Sequence, residues 1–117
     1  MARTIKVTLG FDGANTTFDL KMIRMHEEAA FYAKFTDNAS LPDAEKADAS
    51  MQICIDAIAE WSVKAPTNAK GKPVNDEKTP AASVKKLFTD ADPVEAERIA
   101  NAIINEHSKG LVPDVVF

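Results

Sequence analysis

The chain has one cysteine, Cys54, so no internal disulfide can close. No apolar run approaches the ~20 residues needed to span a bilayer. The opening MARTIKVTLG lacks the apolar core of about 7 to 15 residues that a signal peptide carries. A cytoplasmic protein with no membrane partner is therefore expected, and the Asn-X-Ser/Thr matches at Asn15 and Asn38 are read as chance. A basic excess is missing as well: 14 Lys and Arg stand against 18 Asp and Glu, leaving a net charge of −4. Nucleic-acid surfaces normally show a basic patch or stripe. Lys70, Lys72, Lys78, Lys85 and Lys86 gather in the second half, but Asp76, Glu77 and Asp90 interleave with them. That pattern reads as a solvated face, and the acidic residues form no dense stripe that would mimic DNA. No nucleic-acid partner is expected.

Chemical motifs are equally scarce. His26-Glu27 begins an HExxH pattern, yet Ala30 stands where the second zinc ligand belongs. Gly71-Lys72-Pro73 is no phosphate loop, because Pro66 replaces the first glycine and Pro73 the Ser/Thr. Cys54 lies on the apolar side of a helical pattern, where a thiol is packing rather than a nucleophile for His26 or His107. Glu27, Glu28, Asp48 and Asp56 sit on helix surfaces without the apolar setting that raises a carboxyl pKa for acid or base work. The reading is no enzyme, no cofactor and no metal.

What is present is an ordinary globular composition, 45% hydrophobic and 27% charged over 117 residues. A chain of this size buries roughly two thirds of its unfolded surface, enough for one domain around one core. The longest unbroken helical period is Ser40 to Val63. There Ala44, Ala47, Met51, Cys54, Ile58 and Trp61 recur at spacings of three and four, marking a core helix. Ser40 with Asp43 gives it a capping-box start.

The N-terminal segment, 1–20, has the period of strands. Ile5, Val7, Leu9 and Phe11 alternate with polar residues, and after Asp12-Gly13-Ala14-Asn15 the alternation resumes at Thr16, Phe18 and Leu20. This predicts a β-hairpin whose apolar face lies on helices. Residues 21–63 carry two helices. In the first, Met22, Met25, Ala29 and Ala33 form one stripe, assigned to the core, while Phe31 and Phe35 point roughly the opposite way. Such a helix is either sandwiched in its own fold or keeps a stripe for a partner. A long Pro-containing loop, 64–79, is expected to be mobile. Two helices fill 80–110, opened by Thr79-Pro80 and Asp92-Pro93, with Gly110 as the stop. On the last helix Ala96, Ile99, Ala100, Ile103, Ile104 and His107 share a face. The apolar tail, 111–117, packs as a strand beside the hairpin or is captured by a partner. The predicted architecture is thus α+β and mainly helical, a single domain with helices at about 21–35, 41–62, 80–89 and 93–109.

Phe18-Asp19-Leu20-Lys21, the helix end Ile58-Ala59-Glu60-Trp61-Ser62-Val63 with its polar loop, Ser83-Val84-Lys85-Lys86-Leu87-Phe88, and the final Asp-Pro-capped helix follow one layout. It resembles that of the small tail assembly chaperones of long-tailed bacteriophages. The resemblance implies a binding protein that keeps the tape-measure protein soluble in the host cytoplasm while tail-tube subunits assemble. Its expected partners are tape-measure or tail-tube protein, and a second copy as a homo-oligomer. The residues given to the partner surface are Phe31, Phe35 and Trp61, with Val115, Val116 and Phe117 of the tail. A small inhibitor of a host protein, or a virion subunit such as a connector or tail terminator, is the alternative.

Overall fold

The computed structural model describes residues 3–11 and 13–109 of the chain. The N-terminal alternation forms the hairpin it predicts: β1 (Thr4–Phe11) and β2 (Ala14–Lys21) pair antiparallel, with Val7 opposite Phe18 and Phe11 opposite Ala14. Gly13, in the two-residue connection, has φ 76°, where a Cβ would be strained. Val7, Phe11, Phe18 and Leu20 are buried on one face of the hairpin, with Ile5 and Leu9 packed at its margin.

The segment 64–79, expected as an open loop, is instead tied down. Ser62 bridges Leu20, Val63 N–H donates to Asp19 O at 2.9 Å, and β3 (Thr67–Asn68) pairs with Thr16 and Thr17. The sheet order is therefore β1-β2-β3. The outer edge of β2 needs partners for its backbone groups, and this stretch supplies them. Pro66 is fully buried, Val74 N–H donates to Pro66 O at 3.0 Å, and the Asn75 side chain both donates to Ser83 O and accepts from Ser83 Oγ. On the far face of β2, the buried Asp19 carboxylate meets the Lys64 ammonium at 2.8 Å, an ion pair rather than an aligned hydrogen bond.

Four helices complete the described chain: α1 (Met25–Asp37), α2 (Asp43–Trp61), α3 (Pro80–Asp90) and α4 (Pro93–Ser108). The first begins four residues later than predicted, because Lys21 still pairs with Thr4, Met22 N–H donates to Arg3 O, and His107 Nε2 reaches Lys21 O at 2.8 Å. Glu27 then closes half a capping box by accepting from Arg24 N–H at 3.1 Å. The capping box expected at Ser40 is absent: Pro42 is the residue before α2, with no side-chain cap. Thr79 and Asp92 do cap α3 and α4, accepting from Ala82 N–H at 3.2 Å and Val94 N–H at 2.9 Å.

The α4 face is as predicted, with Ala96, Ile99, Ala100, Ile103, Ile104 and His107 all buried. It packs on β1 and α2, while α2 also covers α3 and β2. Phe88 of α3 meets Phe11 edge-on at 5.6 Å, tying the hairpin tip to the helical layer. On α2 the buried residues run from Cys54 to Trp61; Ala44 and Ala47 are exposed and Met51 half-buried, so the first half of the helix extends past the core. The tail strand expected at 111–117 and the stop expected at Gly110 lie outside the described residues.

Candidate protein-binding surface

Helix α1 carries the two stripes seen in its sequence, with their roles exchanged. Phe31 is buried, its ring 5.1 Å from Trp61 and 5.3 Å from Phe35, both edge-on. Trp61 is buried too and stacks on His107 at 4.4 Å with the rings nearly parallel. Since a carbonyl only accepts, the His107 contact to Lys21 O requires the proton on Nε2. The cluster pins α1 to the ends of α2 and α4. Glu28, expected on the surface, is also buried and accepts from Ser108 Oγ at 2.8 Å. Phe35 alone of the inward aromatics is half-buried.

The stripe assigned to the core faces outward. Met25 is 52% exposed and Tyr32 45%, and Ala29, Ala30 and Ala33 between them are exposed. The fold chose the heavier stripe: two Phe rings bury more apolar area than Met and Ala side chains do. Of the six residues given to a partner, Phe31 and Trp61 are thus brought together in the core and Phe35 at its rim, while Val115, Val116 and Phe117 lie outside the described residues. Met25, Ala29 and Ala33, assigned to the core, are exposed instead, together with Tyr32. The single tyrosine between the stripes was the available signal, because its hydroxyl favours an aqueous edge.

Grooves flank α1 on both sides. Between α1 and α2 a cavity of about 270 Å³ is floored by Phe31, Ala57 and Trp61 and rimmed by Glu27, Lys34 and Glu60. On the other side lie two adjoining cavities. One, of about 270 Å³, is lined by Phe35, Ala47, Met51, Cys54, Ala100 and Asn101. The next, of about 310 Å³, is lined by Tyr32, Phe35, Asn101, Ile104, Asn105 and Ser108.

Chemically the surface is quiet. Cys54 is buried, as predicted, and burial, with the charge on Glu97 behind it, pushes its thiol up to about 11, so it stays protonated near neutrality. The Tyr32 hydroxyl is raised by burial, against a Ser108 hydrogen bond that lowers it. Among the described residues no group of three or more His, Cys, Asp or Glu is placed to hold a metal ion, and no helix is long and apolar enough to cross a membrane. Set against protein-family models, curated proteins and solved structures, the chain gives no match.

Proposed function

We propose that the protein is a binding module that holds a helix of a protein client, in the manner of the phage tail assembly chaperones its sequence layout resembles. On this reading the client is the long helical tape-measure protein, and binding takes place in the host cytoplasm. The observation that supports it is the outward stripe of α1, Met25, Ala29, Tyr32 and Ala33, which the fold leaves uncovered. Alanines at a four-residue spacing let a second helix approach closely, and Met adapts to whatever it meets. The flanking Glu27 and Lys34 give the rim polar partners. A contact of this kind is small enough to be released, which suits a client that is later enclosed by tube subunits.

The test is co-expression with a phage tape-measure protein, the client this reading names. Wild type is expected to bring that client into the soluble fraction, and the full chain carrying Ala29→Glu and Ala33→Lys, both at exposed positions, is expected to fold and leave it insoluble. A folded double variant that solubilises the client as well as wild type overturns the reading.

A further inference from the structure

The fold closes one edge of its sheet and leaves the other open. Residues 62–68 cover the outer edge of β2, while β1 ends the sheet on the opposite side. Met22 N–H donates to Arg3 O, so in this register the odd-numbered residues from Arg3 to Phe11 turn their backbone groups to β2, and Thr4, Lys6, Thr8 and Gly10 turn theirs outward. Arg98 Nη2 reaches Gly10 O at 3.4 Å. Among the described residues nothing bonds to the outward N–H and C=O groups of Thr4, Lys6 and Thr8. Open edges are usually blunted by shortness, a bulge, a proline or several charges. This one is 8 residues long, pairs with β2 without a break, has no proline, and carries Lys6 as its one charge.

We propose that the open edge of β1 binds the same edge of a second copy, antiparallel, about a two-fold axis at Val7, so that the two sheets run on into one. The side chains choose the axis. Placed at Lys6, it would set like charges face to face; placed at Thr8, it would turn Lys6 onto Gly10, whose carbonyl Arg98 already engages. Placed at Val7, it sets Lys6 against Thr8 of the second copy, where the two residues exchange both backbone hydrogen bonds, and it repeats this pair across the axis. On the inner face Ile5 and Leu9 stand symmetrically about Val7, both half-buried at the margin of the core. The same axis lays each Ile5 against a Leu9, covering the apolar surface that β1 leaves part-open. The strand is thus its own complement in charge, apolar pattern and backbone groups, which commits the edge to a second copy.

Amide exchange of the full chain, followed residue by residue by NMR beside analytical ultracentrifugation, tests this. Wild type is expected to be a dimer when concentrated, with the Lys6 and Thr8 amides exchanging at least about tenfold slower than after dilution to monomer. Amides that exchange freely at every concentration overturn the proposal, whatever the oligomeric state. So does equal protection in a monomer, because the occupant then lies in the same chain. Two variants at the exposed Thr8 test the register: Thr8→Glu, facing Lys6 of the second copy, is expected to tighten the dimer, and Thr8→Lys to weaken it, each by about threefold or more. Equal dissociation constants for the two contradict the axis at Val7. Ala29→Glu with Ala33→Lys is expected to stay dimeric, since the α1 stripe takes no part in this contact; a folded monomer would move the contact to α1 and overturn the proposal.

Discussion

Replacing Phe31 by Ala tests which side of α1 the fold uses. The ring is 5% exposed and touches Trp61, Phe35 and Tyr32 at centroid distances of 5.1, 5.3 and 5.1 Å. Truncating a buried Phe costs about 3–5 kcal/mol, which includes aromatic pairs worth about 0.5–1.5 kcal/mol each. Against a total stability of about 5–15 kcal/mol, that is a large fraction. With a urea m-value of about 1.5–2 kcal/mol/M, the midpoint should fall by about 2 M without a change of slope. Circular dichroism follows the helices, and fluorescence of the single Trp61 reports the same cluster directly. The control is Ala29→Glu, on the exposed side of the same helix, expected within about 0.5 kcal/mol of wild type. A small loss for Phe31→Ala together with a large one for Ala29→Glu would return the core to the Met/Ala stripe and refute the reasoning.

Other predictions follow from burial and titration. Ile58→Ala and Ile103→Ala, both at residues with no exposed surface, should each cost roughly 2–5 kcal/mol, and unchanged midpoints would misplace the core. Cys54, with its folded pKa raised to about 11 from an ordinary 9.0, favours the folded state while the thiol is protonated in both states. That contribution is fully present below the unfolded value and is lost as pH rises through the folded one. The stability of wild type relative to Cys54→Ala should therefore drop by about 1–3 kcal/mol between pH 8 and 11, and a flat difference would contradict it. The Val74 and Asn68 amides, bonded to Pro66 O and Lys72 O, should exchange more slowly than exposed loop amides; free exchange would show that this segment does not hold the edge of β2.

Local signals were legible where a single pattern decided the outcome. The hairpin alternation, the Thr79 and Asp92 caps and the α4 face each depend on neighbouring residues alone, and each is where its residues place it. The orientation of α1 was not legible, because both of its stripes are apolar and the choice is made by Trp61 and His107, which arrive from elsewhere in the chain. Nor was the role of 62–68: two paired residues in β3 carry no period, and the stretch is recruited by the open edge of β2. The start of α1 was placed too early because Met22 and Ile23 fit a helical stripe equally well, while the ladder to Thr4 keeps Lys21 in the strand. Glu28 reads as a surface carboxylate on a helix until Ser108 closes over it.

Central to the account is the outward face of α1 as a surface for a helical client. Hydrogen exchange of the full chain, alone and with a phage tape-measure protein as the proposed client, tests this most directly. Added protection centred on residues 25–37 is the predicted result; binding that protects only the sheet or residues 64–79, with α1 unchanged, would contradict it.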